Sequence, residues 1–309
     1  MKQQSTGVEN VDPLAQRKAR PCLDTRLALG AIHLGACAAF FPQFFSWSAI
    51  GVSLLLYFVT GCLGVTIGFH RLLTHRSFRV PRLAECFFAL CGTLALEGGP
   101  IEWTAGHRAH HKYSDTPLDP HDANKGFWWS HVGWLISPNP ARLTPEEERR
   151  FAHDLASDGF YLFLERAMLP LQLVLAGGLY LAGGWSWIVW GVFVRLVMVY
   201  HITWLVNSAA HDSGYQSYAS KDLSTNNWWV ALLAWGEGWH NNHHAFPFSA
   251  RHGLKWYEFD LTWIAIASMK WMGLARDVKL PTSEMMERRA KSASARSSTA
   301  PREAIRQVI

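Results

Sequence analysis

Residues 27 to 69 read "LALGAIHLGACAAFFPQFFSWSAIGVSLLLYFVTGCLGVTIGF" and contain no Asp, Glu, Lys or Arg. At about 1.5 Å of rise per helical residue, this run is long enough to cross a hydrocarbon core of roughly 30 Å twice. A helix buried in a soluble bundle would show polar residues at helical spacing, and this run shows almost none. It therefore predicts two membrane-spanning helices, with the turn between them near "FPQFFSWS".

A second uncharged run has the same character. It begins at Ala167, reaches Val194 and continues past Arg195 to Ala210. Its turn is expected near "AGGWSW", which gives four spans at about 27–46, 48–69, 167–184 and 186–210. Arg195 should face the bundle interior or a wet cavity, because a charge that faces lipid is costly.

The composition also favours a membrane protein. The chain is 49% hydrophobic and has 16 tryptophans, a residue that concentrates at membrane interfaces. The net charge of +5 is dispersed and no nucleic-acid module is readable, so we expect membrane lipid and no nucleic acid as a partner. The five cysteines are odd in number and lack paired metal spacing, so no disulfide framework is implied.

Basic residues predict the orientation, because cytoplasmic segments carry the excess of Lys and Arg. They precede the first span, follow the second and precede the third, whereas both expected turns are uncharged: Arg17, Lys18, Arg20, Arg26, Arg71, Arg76, Arg79, Arg82 and Arg166. Both termini and the central segment, residues 70 to 166, are therefore expected on the cytoplasmic side.

These patterns divide the chain into three parts. Residues 1–26 are a polar N-terminal segment, and residues 27–280 form the membrane domain. Residues 281–309 are rich in Ser, Ala, Arg and Glu without periodicity, which predicts a disordered tail. The expected fold is all-α, with four transmembrane helices in two hairpins and a cytoplasmic helical cap.

Histidines form the main polar pattern. Nine of the 15 fall in "HRLLTH", "HRAHH", "NSAAHD" and "HNNHH". Chance is a poor explanation for two HxxHH motifs in one chain. These nine are His70, His75, His107, His110, His111, His211, His240, His243 and His244. The other six are expected to be satisfied core or interface residues: His33, His121, His131, His153, His201 and His252.

The spacing predicts a geometry. On a helix, positions i and i+4 lie about 40° apart, whereas i+3 lies about 60° to the other side. His107 and His111 should therefore share one target while His110 reaches a second, and the "HNNHH" motif should divide in the same way. Two such helices suit a dinuclear site, with His70 and His75 joining one metal and His211 the other.

The residue types restrict the metal chemistry. Neutral imidazole suits iron, zinc and copper alike. A structural zinc site is closed by about four ligands and usually recruits Cys, so nine histidines without matched cysteines favour a larger, redox-active centre. Every cluster lies just beyond the end of an expected span, within reach of a lipid chain.

In these motifs and their order, the sequence resembles the integral-membrane fatty acyl desaturases of the stearoyl-CoA and acyl-lipid delta-9 type. The resemblance covers about residues 50 to 280 and includes "GFHRLLTHRSF", "EWTAGHRAHHKYSDTPLDPHD", "HVGWL", "TWLVNSAAHDSG" and "GEGWHNNHHAFPFSARHG". It implies two iron ions that activate dioxygen, with all nine histidines as ligands and Asn207 reaching one metal through water. It also implies a substrate channel that bends near Trp103, Thr203 and Trp204.

Three departures from the family pattern concern the substrate. Ala105 and Gly106 replace an Arg-Asp pair, and Ser137 and Pro138 replace a basic pair; both pairs contact the CoA headgroup in animal enzymes. The sequence therefore leaves two acyl carriers, acyl-CoA and a membrane acyl lipid. It looks more like bacterial and plastid-type members. Glu97 stands near the expected bend where members usually have Gln.

The electron donor should be a separate protein, because neither a fused haem domain nor a GxGxxG fingerprint is visible. The resemblance allows ferredoxin or a small cytochrome with its reductase. The nearest alternative is a diiron membrane hydroxylase, which shares the first hydrogen abstraction. Outside enzymes, the alternatives are a His-rich metal transport protein and a zinc-stabilised scaffold; the first would need polar residues lining the spans, and the second leaves two HxxHH clusters unexplained.

Overall fold

The computed structural model describes residues 22–299, and every regular element in this range is a helix. Most of the predicted polar segment 1–26 lies outside the described residues. Ten helices are numbered in chain order: α1 Leu23–Cys37, α2 Trp47–Thr74, α3 Arg82–Thr93, α4 Pro100–Tyr113, α5 Gly159–Ile188, α6 Arg195–Asn207, α7 Trp228–Leu233, α8 His240–Ala245, α9 Leu261–Trp271 and α10 Ser283–Thr299. Further helical segments join them at Trp129–Gly133, Trp134–Ile136, Pro145–Phe151, His153–Ala156 and Ala209–Asp212.

Two helical stretches of the described chain are long and apolar enough to cross a membrane: α2 and the continuous region Gly159–Asp212. The first expected span covered residues 27–46, but the regular α-helix in this region ends before residue 46. Helix α1 ends at Cys37 and gives way to two 3₁₀ turns, the second of which begins at Pro42. Proline lacks an N–H and clashes with the preceding turn, so it cannot continue the α-helix.

The region Gly159–Asp212 is broken at Gly184. This residue has φ 64° and ψ −155°, a conformation that only glycine adopts readily. The chain folds back after it, since a Cβ on Gly191 would lie 3.0 Å from Leu179 Cδ1. The reversal falls within the predicted "AGGWSW" turn.

Arg195 is fully buried, which confirms that it faces the protein interior. Its guanidinium donates to the carbonyl of Leu94 at 2.6 Å and to the carbonyl of Gly191 at 3.1 Å, and the Gln172 side chain lies beside it. Within residues 22–299 it meets no carboxylate, so backbone carbonyls stabilise this charge.

The second half of α2, Phe58–Thr74, has the wider π-helical turn and lies at the centre of the largest apolar core. It packs directly on α3, where a Cβ on Gly64 would lie 2.4 Å from the carbonyl carbon of Cys91. Wide turns of this kind often occur at functional sites. Here they bring the end of α2, with His70 and His75, over the core and next to α4.

The C-terminal region differs from its prediction. Residues Ser283–Thr299 form α10 rather than a disordered tail, and 300–309 lie outside the described residues. The helix is held by neighbours far away in sequence: Arg289 donates to the carbonyl of Ala219, and Met286 packs against the cluster formed around Phe246. Sequence composition alone could not show these contacts.

Candidate metal centre

The nine histidines of the sequence pattern converge on one place between four helical segments. Two come from the end of α2, three from α4, one from Ala209–Asp212 and three from α8. Their ring nitrogens form two groups whose atoms lie within 4.8 Å of one another. Cluster one consists of His70, His75, His107, His111 and His243, and cluster two of His110, His211, His240 and His244. The division follows the helical spacing, with His110 apart from His107 and His111.

The separations between ring nitrogens suit ligands of a common ion. In cluster one, His243 Nε2 lies 2.9 Å from His111 Nε2 and 3.0 Å from His70 Nε2, and His107 Nε2 lies 3.0 Å from His111 Nε2. Ligand atoms about 2.1 Å from a metal are separated by about 3.0–3.4 Å in octahedral and tetrahedral shells. The clusters therefore have the dimensions of coordination shells.

Carboxylates fix the tautomers of three histidines in cluster two. Asp119 lies 2.8 Å from His110 Nδ1, Asp115 lies 3.0 Å from His211 Nδ1, and Asp222 lies 2.7 Å from His244 Nδ1. A carboxylate accepts from Nδ1–H, so Nε2 of the neutral ring carries a lone pair.

The contact between the rings of His110 and His244 indicates a shared cation site. His110 Nε2 and His244 Nε2 lie 3.3 Å apart, and in the neutral rings both carry lone pairs. In that state both lone pairs point toward the same space, as the ligands of one cation do. His211 Nε2 and both His240 ring nitrogens are buried without a hydrogen-bond partner in the described chain, which supports the same conclusion.

One histidine of cluster one has a carboxylate partner. Glu237 Oε2 lies 2.8 Å from His70 Nδ1 and 2.9 Å from His252 Nδ1. The other oxygen of Glu237 accepts from Arg71, whose guanidinium also pairs with Asp260 at 3.0 Å. Glu237 thus orients His70 and shares a buried arginine with Asp260.

The loop after α4 is built to hold the aspartates. Asp119 accepts from the backbone N–H of Asp115 and of His121, which closes the loop on itself. Asp115, with φ 55°, accepts from the backbone N–H of Leu223. These bonds join "SDTPLDPHD" to the segment that carries Asp222, so the carboxylates around cluster two form one connected network.

Burial keeps most of these imidazoles neutral, the state in which histidine binds metals. Desolvation lowers the pKa well below the usual value in six histidines: His75, His107, His111, His240, His243 and His244. His110 is different, because Asp119 outweighs the burial and raises its pKa. Burial would raise the pKa of Asp119, but its contacts with His110 and His121 outweigh this and lower it.

Two cavities meet at the clusters. A cavity of about 340 Å³ runs from α1 toward Trp204, and one of about 60 Å³ continues toward Tyr57 and Trp235. Four residues line both cavities: Trp103, His107, Thr203 and Asn207. Trp103, Thr203 and Trp204 all line the larger cavity, and Asn207 lies where the two cavities join.

Glu97 lines the larger cavity, and both of its carboxylate oxygens are buried. Neither of its carboxylate oxygens accepts a hydrogen bond of ordinary length from the described residues. Burial raises the pKa of Glu97 to about 8, and the nearby polar groups of Thr203 and Trp103 oppose the rise only in part. The side chain is therefore mainly neutral at pH 7, which suits a passage for an apolar chain.

Of the remaining six histidines, His153 is exposed and the other five fall into two sets. His33, His201 and His131 form a chain of ring nitrogens 3.0 Å apart that ends 3.0 Å from the Ser208 hydroxyl, so they are satisfied within the protein as expected. His121 and His252 instead lie against carboxylates of the clusters, near Asp119 and Glu237.

Sequence reasoning missed several residues that hold the clusters in place: Asp115, Asp119, Asp222, Glu237, His121 and His252. Asp115, Asp119 and His121 stand within "KYSDTPLDPHD", directly after the "HRAHH" motif, so their position gave a signal. Asp222 and Glu237 follow no spacing rule.

Comparison with known proteins agrees with this geometry. Residues 17–274 match the family described as fatty acid desaturase. The chain is 57% identical over 258 residues to an sn-1 stearoyl-lipid 9-desaturase of Anabaena variabilis, covering 84% of this chain and 93% of that protein. It is 54% identical over 260 residues to a protein of the same name from Synechocystis sp., covering 84% and 81%. An icosanoyl-CoA 5-desaturase of Limnanthes douglasii is 46% identical over 280 residues, covering 90% and 78%.

A helical fold with paired histidine clusters at the junction of two cavities, together with these matches, defines a membrane oxidoreductase that acts on acyl chains. The chain belongs to the fatty acid desaturase family. It is a fatty acyl desaturase, and its histidine clusters can hold the metal that the family uses.

Proposed function

We propose that the chain inserts a cis double bond at the delta-9 position of a saturated acyl chain carried by a membrane lipid. The observation that carries this proposal is the junction of the two cavities at the histidine clusters, marked by Trp103, His107, Thr203 and Asn207. An acyl chain that enters the larger cavity and ends in the smaller one places one pair of carbons beside the clusters. A fixed bend makes that pair the same in every turnover.

Two iron ions are the proposed cofactors, one in each cluster. The proposed ligands are His70, His75, His107, His111 and His243 for one ion and His110, His211, His240 and His244 for the other, with Asn207 acting through water. Iron held in this way uses dioxygen to oxidise an unactivated methylene, which no side-chain acid or base can deprotonate. The protein supplies position and a dry passage: Trp103, Thr203 and Trp204 direct the chain, and neutral Glu97 faces it without a charge.

The lining of the larger cavity favours a lipid over acyl-CoA as the carrier. Its charged residues are Glu102, Glu148 and Arg142, with Glu97 neutral, so acidic groups outnumber basic ones. CoA carries several phosphates, which this lining would repel. Gly106, which replaces a charged residue of the acyl-CoA enzymes, lines the same cavity. Two relatives with more than half of their aligned residues identical are named as acting on stearoyl-lipid.

The proposed location is the membrane, with four spans in two hairpins and with both termini and the metal site on the cytoplasmic side. Helix α2 and the region Gly159–Asp212, bent back at Gly184, supply the long apolar helices. Helix α1 and the turns after it would complete the first hairpin. Electrons come from a separate ferredoxin, or from a small cytochrome with its reductase, and an acidic carrier would be attracted to a basic cytoplasmic surface.

The test is lipid analysis of a heterologous host that expresses the chain. Labelled stearate is supplied as a pulse, fatty acids are released separately from acyl-CoA and from each glycerolipid class, and double bonds are located by mass spectrometry. We expect delta-9 monoenes to appear first in a glycerolipid. Monoenes that appear first in acyl-CoA would overturn the carrier, and a fixed position other than delta-9 would overturn the regiochemistry. Hydroxy acids would favour the hydroxylase.

A further inference from the structure

The two histidine clusters differ in how many of their rings are held by carboxylates. In cluster two, three of the four histidines have Nδ1 within 3.0 Å of an aspartate oxygen. In cluster one, the only such contact among the described residues joins His70 to Glu237. The spacing of the histidines gave no indication of this inequality.

The charges around the clusters are unequal as well. The Arg71 guanidinium lies 2.9 Å from Glu237 and also pairs with Asp260, so these three groups together carry one negative charge, against three for the aspartates of cluster two. Within residues 22–299 the three aspartates of cluster two form no ion pair with Lys or Arg. Their other partners are neutral donors: the backbone N–H of Leu223 for Asp115, of His121 for Asp119 and of Ser224 for Asp222.

The physical consequence follows from two general effects. A carboxylate that accepts from Nδ1–H makes Nε2 a stronger donor to a metal. A fixed negative charge in a buried, low-dielectric site also stabilises the more highly charged form of a nearby ion. The fifth imidazole of cluster one is a neutral donor and brings no charge, so it does not reverse this difference.

We propose that the two metal positions are electronically unequal: cluster two favours the ferric ion, and cluster one receives the first electron. Asp115, Asp119 and Asp222 are then positioning residues that set the potential of one metal through its histidines. The proposal rests on the proposed diiron function. Each reductive step adds one electron from a chemical reductant to one ferric ion and gives one ferrous ion.

The experiment is a reductive titration of the purified, ⁵⁷Fe-loaded full chain with dithionite, followed by Mössbauer spectroscopy. Two separate one-electron steps are expected. Asp119→Asn and Asp222→Asn should move the second step, at lower potential, to a higher potential and leave the first in place. Glu237→Gln should move mainly the first step. Asp158→Asn is the matched control and should move neither, because this carboxylate is bound to Arg82 and to the backbone N–H of Phe160.

The outcomes separate this inference from the proposed function. A protein that binds no iron but is folded would contradict the diiron function itself. Two bound irons that are reduced together, or aspartate variants that move the first step, would overturn the inequality while leaving the diiron function intact. The wild-type titration decides between one step and two even if a variant fails to fold. Iron content adds a second readout, since loss of such a partner lowers metal affinity by about 10–100-fold.

Discussion

Arg108 and Asp154 form a two-point ion pair, with Nη1 donating to Oδ1 at 2.7 Å and Nη2 to Oδ2 at 3.1 Å. The same guanidinium donates to the carbonyls of Leu73 and Thr74, directly before His75. Arg108 stands inside the "HRAHH" motif, so a single side chain connects the ligand helix α4 to the end of α2. The spacing of the two histidine motifs depends on this connection.

Replacing Asp154 should loosen that connection. Burial alone would raise the pKa of Asp154, but hydrogen bonds from Arg108 and Arg76 outweigh it and hold the pKa below its usual range. A carboxyl with a lowered pKa in the folded state stabilises the protein above the pKa of the unfolded chain, and this stability is lost as the pH falls through the folded pKa. Asp154→Asn should therefore cost about 1–2 kcal/mol at pH 7 and less at strongly acid pH.

The measurement is thermal unfolding in detergent at several pH values between neutral and strongly acid. The exposed Glu146→Gln is the control and should leave the unfolding temperature unchanged. An Asp154→Asn variant with the wild-type pH dependence would show that the ion pair contributes nothing.

Removing one ligand should remove one metal. His110 belongs to cluster two and lies apart from the five rings of cluster one, so His110→Ala should reduce bound iron from about two ions per chain to about one. Desaturation should be lost, while membrane insertion continues because the apolar helices do not depend on this ring. Iron analysis and product analysis check both points, with the exposed His153→Ala as the control. Unchanged iron and unchanged product would remove His110 from the site.

Trp204 should affect where the double bond forms and not whether iron binds. It lines the larger cavity and stacks on Tyr200, with ring centroids 5.5 Å apart. Trp204→Ala would widen the passage near its bend, so the acyl chain could shift by one or more carbons. Mass spectrometry should then find a mixture of double-bond positions at an unchanged iron content. A single double bond at the wild-type position would show that Trp204 does not form the wall of the substrate channel.

Ionisation of Glu97 should lower the stability of the folded protein and weaken substrate binding as the pH rises. Its pKa is raised from 4.5 to about 8 by burial, so the unfolded chain releases this proton at lower pH than the folded one. The associated stability is complete below about pH 4.5 and is lost progressively until the pH passes about 8. Above that value a charged carboxylate faces the acyl chain, so the apparent KM of the wild type should rise.

Glu97→Gln is the matched variant for this prediction. It keeps the size of the side chain and removes the charge, so its apparent KM should stay level between pH 7 and 9. Assays of both enzymes across this range, with unfolding temperatures measured in parallel, decide the question. Parallel profiles would show that Glu97 remains neutral or lies away from the substrate.

The features of this protein that follow from local sequence patterns could be predicted. Uncharged runs indicated the long apolar helices, the "AGGWSW" stretch indicated the reversal at Gly184, and i, i+3, i+4 spacing separated His110 from His107 and His111. These features are local, so they can be read from neighbouring residues.

Features that depend on tertiary contact could not be predicted. Asp222 and Glu237 reach His244 and His70 because of how the loops close, and no spacing rule places them there. Helix α10 has a disorder-like composition, yet it is ordered through Arg289 and the core around Phe246.

The order of the histidines along the chain has a consequence for biosynthesis. Cluster one needs His243 and cluster two needs His240 and His244, all of which belong to α8, behind both long apolar stretches. During translation neither cluster can close until α8 has left the ribosome, by which time the apolar helices have already emerged. Iron loading is therefore expected to be the last stage of maturation, and a chain interrupted before α8 leaves both clusters incomplete.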